Sequence, residues 1–319
     1  MKKIRWGIIS TGTIAHQFAQ DIRLVDSAEL VAVASRTQAS ADAFASQYGI
    51  PTAHASYEAL YQDGNVDAIY IATPHNFHRL NTLDAMAQGK AVLCEKPITI
   101  STAELDELVA YATEKKVYLM EAMWTYFLPA IQQAKAWVEE GRIGRIVHLK
   151  SEFGYPVPFD PKTRNYNPDL AGGALLDMGV YNVAMAWYFL EQVPEVIAVQ
   201  QHAAASGVED DVFTTAWYAN DQYAHLHTSF RTKLQNHTFI FGEQGYIQLP
   251  DFWRASEAKL YERDTCLEHF QDHRKGMGFE FQIEAVNQDI LAGRLESSVV
   301  PHATSRYFQK QMDDIRAEF

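Results

Sequence analysis

The stretch IRWGIISTGTIA, residues 4–15, decides the fold of the N-terminal half of this chain. Its first part, Ile4–Ile9, is an apolar run typical of a buried strand, and helical apolar spacing begins at Ile14. Small or hydroxyl-bearing residues lie between them, in a G-x-G-x-x-G/A pattern whose glycine positions hold Ser10, Gly12 and Ala15. Such a turn lets a dinucleotide pyrophosphate approach backbone N–H groups at a helix N-terminus. We therefore expect this loop to bind a dinucleotide through Ser10, Thr11, Gly12, Thr13 and Ile14.

Strand and helix patterns alternate over the rest of the first 120 residues. Apolar runs predict strands at Leu30–Ser35, Ala68–Ala72, Ala91–Cys94 and Val117–Met120, and helical spacing predicts helices at Ser40–Tyr48, His78–Ala87 and Thr102–Lys115. Buried strands separated by helices of about ten residues or more indicate βαβ units and a parallel sheet. The first half is thus predicted to be a doubly wound Rossmann domain, residues 1–121.

The pattern changes in the second half, residues 122–319. Helices are expected at Pro129–Glu140, Gly173–Leu190, Phe279–Leu291 and His302–Phe319, and closely spaced strands run from Val196 to Leu249. Hairpin turns at Asn220-Asp221 and Glu243-Gln244-Gly245 separate several of these strands. This order predicts an α+β domain with an open, mainly antiparallel sheet, which would bind substrate and support oligomerisation. The fold class is therefore α/β, with this α+β domain added.

Composition excludes several classes of protein. The net charge of −13 opposes nucleic-acid binding, since a phosphate backbone is repelled by an acidic surface. The 2 cysteines are too few for a disulfide framework, and the N-terminus lacks the apolar stretch of a signal peptide. The most apolar window, Ala171–Leu190, contains Asp177 and Asn182 and predicts a buried helix rather than a membrane span. We expect a soluble cytoplasmic protein that binds small molecules and neither nucleic acid nor membrane.

The end of the second predicted strand bears on the choice of dinucleotide. NAD sites place a carboxylate there to bind the ribose 2′-hydroxyl, but no acidic residue lies between Glu29 and Asp42. Ser35 and Arg36 occupy this position instead, and a hydroxyl beside a guanidinium suits a 2′-phosphate. The sequence predicts that NADP is preferred over NAD.

Three further segments carry recognisable motifs: ATPHNFH (72–78), CEKP (94–97) and GGALLDMGVY (172–181). Together with the turn at residues 10–15, they resemble the Gfo/Idh/MocA oxidoreductases, a family that includes glucose–fructose oxidoreductase. Within it, EAMWTYFLP (121–129) looks most like the dimeric dihydrodiol dehydrogenase branch. The resemblance implies hydride transfer between NAD(P) and a CH–OH group of a sugar, polyol or trans-diol. It also implies that the cofactor contacts Ser35 and Arg36 at the adenosine ribose, and Thr73, Pro74, Asn76, His78, Glu95 and Lys96 nearer the nicotinamide.

Proton transfer is assigned to Lys96, Asp177 and Tyr181. A lysine desolvated beside a cationic nicotinamide gives up its proton more readily, and Lys96 follows a parallel strand, where doubly wound sheets place ligands. Asp177 and Tyr181, four residues apart, would share one helix face, after the small residues of Gly172–Ala174. Tyr181 replaces the histidine of many family members, so either Lys96 or Tyr181 could be the base, with substrate in the cleft between the domains.

Other candidate residues are aromatic or cationic. Trp124, Phe153 and Phe279 are candidates for an apolar substrate wall, and Arg164 for a polar substrate contact. No metal site is expected, because the paired histidines of the chain lack accompanying cysteines or carboxylates. Apolar strands at Val212–Tyr218 and His237–Phe241 predict a sheet face buried in a homodimer or higher homo-oligomer.

Two other functions use the same dinucleotide-binding domain. A non-catalytic regulator that senses dinucleotide would not need Lys96, Asp177 and Tyr181 together. A redox-neutral lyase or glycosidase would use bound NAD transiently and retain it through purification. The sequence favours an oxidoreductase over both alternatives.

Overall fold

The computed structural model describes residues 2–319, which divide into two compact units. The first unit contains residues up to Trp124 together with Lys275–Tyr307, and the second contains Thr125–Arg274 and Phe308–Phe319. The sequence-based division at residue 121 differs from these units because the chain returns to the first unit after residue 274.

The first unit is built on a six-stranded parallel sheet in the order β3-β2-β1-β4-β5-β6. Its strands are β1 (Ile4–Ile9), β2 (Ala28–Ala34), β3 (Thr52–His54), β4 (Ala68–Ile71), β5 (Ala91–Glu95) and β6 (Leu119–Ala122). The helices between them are α1 (Thr13–Asp21), α2 (Gln38–Tyr48), α3 (Tyr57–Tyr61), α4 (His78–Ala87) and α5 (Thr102–Lys115). The predicted Rossmann fold is confirmed, with β3 and α3 as additional elements.

The register of the parallel strands places several predicted site residues at one edge. Ile9 of β1 is paired with Ala34 of β2 and Ile71 of β4, and Ile71 is paired with Cys94 of β5. The residues that follow these partners, among them Ser10, Ser35, Thr73 and Glu95, therefore lie along the carboxyl edge of the sheet. Strand order reverses between β1 and β4, which is where open α/β sheets bind ligands.

The returning segment completes the first unit with α8 (Phe279–Leu291) and the first part of α9 (His302–Ala317). The buried Asp21 carboxylate at the end of α1 accepts hydrogen bonds from the amides of Met277, Gly278 and Phe279, at 2.9, 3.1 and 3.0 Å. These contacts satisfy backbone donors at the N-terminus of α8. A local sequence pattern does not reveal this capping, because its partners are more than 250 residues apart.

The second unit contains an eight-stranded sheet in the order β14-β13-β12-β11-β7-β10-β9-β8. Its strands are β7 (Ile146–Gly154), β8 (Val196–Ala203), β9 (Glu209–Trp217), β10 (Tyr223–Ser229), β11 (Thr238–Gly242), β12 (Tyr246–Leu249), β13 (Glu257–Glu262) and β14 (Thr265–Gln271). All neighbouring pairs are antiparallel except β7 and β10. The predicted mainly antiparallel sheet is confirmed.

Two helices of the second unit pack against this sheet: α6 (Pro129–Glu139) contacts β12, β13 and β14, and α7 (Val180–Leu190) contacts β7 and β10. The helix predicted as one element at 173–190 begins with a π-helical segment, Leu175–Gly179. Asp177 lies in this segment and Tyr181 in α7, so the two residues are not on one regular α-helical face. Single π-helical turns are frequent at functional sites.

The other face of the sheet carries a continuous row of rings. His148 stacks on Tyr223 with ring centroids 4.4 Å apart and on Phe241 at 5.2 Å, and Tyr246 stacks on Tyr261 at 4.7 Å. Exposed fractions reach 39% for Phe213 and 43% for Trp217. We call this surface the aromatic face, and its members are His148, Phe213, Trp217, Tyr223, His225, Phe239, Phe241, Tyr246 and Tyr261.

No helix formed by residues 2–319 combines the length and apolar character that a bilayer crossing requires.

Candidate active site

The turn between β1 and α1 has the backbone of a dinucleotide loop although its first glycine is replaced. Ser10 adopts a φ of 85°, the left-handed region that glycine favours, and its Oγ accepts a hydrogen bond from the Gly12 amide at 3.3 Å. Within residues 2–319, no side chain caps the N-terminus of α1 by a hydrogen bond. The first N–H groups of this helix are thus the donors that an anion would use.

The space beside Gly12 fits a phosphate group. A Cβ atom added to Gly12 would meet one atom outside its chain neighbours within 4 Å, Ser10 Oγ at 3.6 Å, which is an ordinary van der Waals contact. The protein's own packing therefore leaves this side of the turn open. The open turn and the uncapped helix together fit a pyrophosphate held by Ser10, Thr11, Gly12 and the amides of Thr13 and Ile14.

The end of β2 holds the two residues assigned to the 2′-phosphate. Ser35 is buried, and its hydroxyl lies 3.5 Å from the hydroxyl of Thr11 in the pyrophosphate turn. Arg36 is exposed, and its charge acts on Tyr57 of α3: burial raises the pKa of Tyr57, while the guanidinium opposes the rise. These residues fit an adenosine ribose phosphate.

The loop after β4 is tied to the loop after β5. The fully buried His78 ring has Nδ1 2.8 Å from the Pro97 carbonyl oxygen and Nε2 2.8 Å from the Thr73 carbonyl oxygen. Asn81 donates to the hydroxyl of Thr73 at 3.0 Å. The structure thus shows His78 as a link between these loops, and a direct cofactor contact by His78, Pro74 or Asn76 stays a prediction.

Glu95 and Lys96 lie at the end of β5. The Glu95 carboxylate is buried and accepts a short hydrogen bond from the hydroxyl of Tyr70. Tyr70 in turn stacks on Phe18 of α1, with centroids 3.9 Å apart. Lys96, the next residue, is half-buried. The rigid anchoring of Glu95 therefore fixes the backbone from which Lys96 projects.

The predicted substrate-wall residues fall into two groups, one in each unit. In the first unit, Trp124 stacks on Phe279 with centroids 4.7 Å apart and an interplanar angle of 16°, and both rings are buried. In the second unit, Phe153 makes an edge contact with Tyr181 at 5.7 Å and stacks on Trp253 at 5.3 Å. The structure thus brings Phe153 together with a predicted proton-transfer residue.

Asp177 is held by the proline-rich loop of the second unit. Arg164 donates to both of its carboxylate oxygens at 3.2 and 3.3 Å, and Asn165 donates to Oδ2 at 3.1 Å. The Asp177 side chain is only 11% exposed, whereas that of Arg164 is 49% exposed. Arg164, predicted as a substrate contact, is therefore also a partner of the carboxylate.

The small residues before Asp177 have a structural use. Gly173 has a φ of 127°, and a Cβ there would collide with the carboxylate of Glu209. Glu209 Oε1 accepts a hydrogen bond from the Leu175 amide at 3.1 Å. Burial raises the pKa of Glu209. The glycine therefore lets a buried carboxyl group fasten the start of the π-helical segment that carries Asp177.

The structure brings to these groups several residues that the sequence patterns do not indicate. Asn165 contacts Asp177, Trp253 contacts Phe153, and Tyr70 contacts Glu95. Glu121 at the end of β6 is a further buried carboxyl group. Its position alone was a usable signal, since the carboxyl ends of parallel strands carry ligand sites. The other three depend on contacts between distant segments.

No group of three or more histidine, cysteine, aspartate or glutamate side chains within residues 2–319 is arranged to hold a metal ion.

Comparisons with known proteins agree with this two-unit arrangement. Residues 4–123 match the family described as an oxidoreductase family with an NAD-binding Rossmann fold, and residues 131–248 match the GFO/IDH/MocA C-terminal domain. The fold and the dinucleotide turn define a nicotinamide-dependent oxidoreductase. The chain belongs to the Gfo/Idh/MocA family.

Named relatives and solved structures extend this similarity over the whole chain. Trans-1,2-dihydrobenzene-1,2-diol dehydrogenase of Mus musculus is 34% identical, covering 98% of this chain and 96% of the relative. The same enzyme of Homo sapiens is 33% identical, with 98% and 96% covered. A 3-ketoreductase from Actinomadura kijaniata, solved with NADP and TDP-benzene, is 25% identical with a TM-score of 0.88, covering 99% of this chain and 98% of that one.

An aldose-aldose oxidoreductase from Caulobacter crescentus, solved with glycerol, has the same fold, with a TM-score of 0.91, 21% identity and coverage of 99% and 97%. The predicted family, enzyme class and nicotinamide dinucleotide cofactor are confirmed. This chain is an NAD(P)-dependent oxidoreductase acting on CH–OH groups.

Proposed function

We propose that this enzyme oxidises a trans-diol on a cyclic, largely apolar carbon frame, with NADP as the preferred acceptor. The observation that carries this proposal is the contact of Tyr181 with Phe153, which also stacks on Trp253. A phenol hydroxyl surrounded by aromatic rings suits a substrate with both a hydroxyl group and a flat apolar body. Relatives named as dihydrodiol dehydrogenases support the same substrate class.

The preference for NADP is supported at the end of β2. Ser35 and the exposed Arg36 stand where NAD-specific sites use a carboxylate, and no acidic residue lies between Glu29 and Asp42. A guanidinium makes strong charge-assisted hydrogen bonds with a phosphate. The residues at this position therefore favour a 2′-phosphate over a free hydroxyl.

Lys96 and Tyr181 are proposed to move the hydroxyl proton of the substrate, with Asp177 as organiser. A bound nicotinamide dinucleotide would supply the acceptor for the hydride that leaves the carbinol carbon. Lys96, fixed by the anchored backbone after Glu95, takes the proton in one version. In the other version the phenolate of Tyr181 takes the proton, and the ammonium of Lys96 favours ionisation of that tyrosine. Asp177, held by Arg164, supplies the negative charge that balances the cation formed.

A homodimer formed through the aromatic face is proposed as the working assembly. Phe213 and Trp217 are large apolar side chains with exposed fractions of 39% and 43%, and a partner would bury them. A two-fold contact between identical faces is the commonest way to cover such a surface. We also propose a reducing, cytoplasmic location, in keeping with the free thiols of the buried Cys94 and the exposed Cys266.

Substrate specificity tests the proposal directly. Near-ultraviolet absorbance of NADPH is followed with a trans-diol of a six-membered carbocycle, with its cis isomer, and with an aldose and an acyclic polyol. The carbocyclic trans-diol should give the highest kcat/KM, and Phe153→Ala should raise its KM more than that of the aldose. A higher kcat/KM for the aldose, unaffected by Phe153→Ala, would assign the enzyme to sugars instead.

A further inference from the structure

A buried glutamate next to the Lys96 segment has no role in the groups described above. Glu121 lies on β6 in register with Cys94 of β5, one position before the pair formed by Ala122 and Glu95. Its exposed fraction is 2%. Burying a carboxyl group is costly unless hydrogen bonds or charges compensate, so this position requires an explanation.

The carboxyl group of Glu121 is fastened to the turn that follows Lys96. Its Oε1 accepts a hydrogen bond from the Ile98 amide at 3.1 Å. Ser305 on α9 also faces the carboxyl group, while Oε2 accepts no hydrogen bond from residues 2–319. One oxygen thus fixes the backbone two residues beyond the lysine, and the carboxyl group also lies beside Ser305.

The charged neighbours of Glu121 are Glu95, the last residue of β5, and Lys96, which follows it. The ammonium of Lys96 lowers the pKa of the Glu121 carboxyl group, and the carboxylate of Glu95 raises it. Burial is the largest influence and raises the pKa of Glu121 to about 7. The other titratable neighbour is the buried Cys94 thiol, whose pKa is itself raised by burial and by Glu121. Glu121 therefore changes charge in the neutral range and interacts with Lys96 across a buried region.

We propose that Glu121 is a positioning residue for Lys96: it holds the turn that presents the lysine, and its charge sets how readily Lys96 gives up a proton. The coupling is reciprocal, because a charge that stabilises the ammonium is itself stabilised by it. This inference rests on the proposed role of Lys96. Glu121 is then a second ionisable group that influences the reaction, although it does not contact the substrate.

A matched control is available in the same loop. Glu104 at the start of α5 accepts a hydrogen bond from the Ile100 amide at 3.2 Å, just as Glu121 accepts one from Ile98. The side chain of Glu104 is half-buried, whereas that of Glu121 is buried. Glu104→Gln therefore repeats the loss of a carboxylate that holds this loop, without the loss of a buried charge beside the lysine.

The kinetic test compares Glu121→Gln and Glu104→Gln with the wild type. Glutamine keeps the size and the acceptor oxygen of Glu121 but cannot ionise. The acid limb of the pH profile of kcat should move to lower pH by about 1 unit in Glu121→Gln, because the carboxylate no longer retains the lysine proton. The KM for NADP should be unchanged, and Glu104→Gln should match the wild type. Superimposable profiles for Glu121→Gln and the wild type would overturn the proposal.

A second measurement needs neither cofactor nor substrate. In protein labelled with ¹³C at glutamate carboxyl carbons, the Glu121 signal, assigned by its absence in Glu121→Gln or Glu121→Asp, should titrate near pH 7. Lys96→Met should move this titration to higher pH, since a neighbouring cation is lost. An unchanged titration would overturn the coupling, even if Glu121→Gln does not fold. A shifted titration in a protein that oxidises no diol would leave the coupling intact and refute the proposed function alone.

Discussion

The guanidinium of Arg164 binds the carboxylate of Asp177 through two nitrogens: Nη1 donates a hydrogen bond to Oδ1 at 3.2 Å, and Nη2 donates one to Oδ2 at 3.3 Å. This fork joins a loop to the π-helical segment Leu175–Gly179. Paired charge-assisted bonds fix the orientation of a carboxylate as well as its charge. Asp177 is thus held in one orientation, as an organising group requires.

Asp177→Asn keeps the shape of the side chain and removes its charge. We expect kcat to fall about 10- to 100-fold, the effect of losing a charge-assisted hydrogen bond of about 1.5–3 kcal/mol. Steady-state kinetics with NADP and a trans-diol measures this effect. Asp169→Asn, an exposed aspartate in the same loop, is the control and should match the wild type. Equal kcat values for Asp177→Asn and the wild type would remove Asp177 from the proton-transfer group.

Glu121 makes stability depend on pH in a defined direction. Its folded-state pKa of about 7 lies above its ordinary 4.5, so the folded protein binds more protons than the unfolded chain between these values. Stability supplied by the protonated carboxyl is present below pH 4.5 and is lost as pH rises through 7, at up to about 1.4 kcal/mol per pH unit. The melting temperature of Glu121→Gln should therefore rise relative to that of the wild type as the pH increases from 5 to 7. A constant difference between the two proteins would contradict this expectation.

Arg36 is expected to decide the choice between NADP and NAD. Arg36→Ala should weaken NADP binding about 10- to 100-fold and leave NAD binding nearly unchanged, since about 1.5–3 kcal/mol of charge-assisted bonding is lost. Fluorescence titration with each dinucleotide measures both affinities. The exposed Arg306, paired with Asp106, offers a control substitution of the same type. Equal NADP affinity in Arg36→Ala and the wild type would be evidence against the assignment.

The aromatic face should determine the assembly. A chain of 36.1 kDa that pairs through this face should show twice that mass by light scattering at micromolar concentration. Trp217→Glu places a charge within the proposed contact and should give the monomer mass with an unchanged circular dichroism spectrum. Lys162→Glu, on an exposed loop, controls for the added negative charge. A wild-type monomer would exclude this homodimer.

Much of the fold follows from local patterns. The bounds of β1, α4 and α5 agree with those predicted from apolar spacing and stop signals, because β1 is a nearly continuous buried run and each of the two helices buries one regular face. β3 has only three residues, and β14 is exposed along most of its length. Neither presents an alternating apolar pattern, so neither was predicted.

The candidate site was predictable where its residues follow strand ends in sequence. Ser35, Glu95 and Lys96 each lie at or just after the end of a predicted strand. The partners that hold the site were not, because Asn165, Trp253 and Tyr70 are recognisable only once separate segments pack together. The π-helical start of the 173–190 region also escaped prediction, since it depends on Glu209 filling the space beside Gly173.

Tyr181→Phe separates the two versions of proton transfer. If Tyr181 only donates a hydrogen bond to the substrate oxygen, kcat should fall less than in Lys96→Met. If Tyr181 is the base, the two losses should be equal. Stopped-flow absorbance of NADPH formation, which isolates the first turnover, measures both variants on the same substrate.

The most direct test of the central claim is the kcat of Lys96→Met for NADP-dependent oxidation of a trans-diol. General acid–base catalysis contributes about 10²–10⁴ in rate, so kcat should fall by that factor while NADP still binds with wild-type affinity. A Lys96→Met enzyme that keeps more than about a tenth of the wild-type kcat, against that expectation, would contradict the mechanism. A wild-type protein that retains NAD through purification and forms no NADPH would instead indicate the redox-neutral alternative.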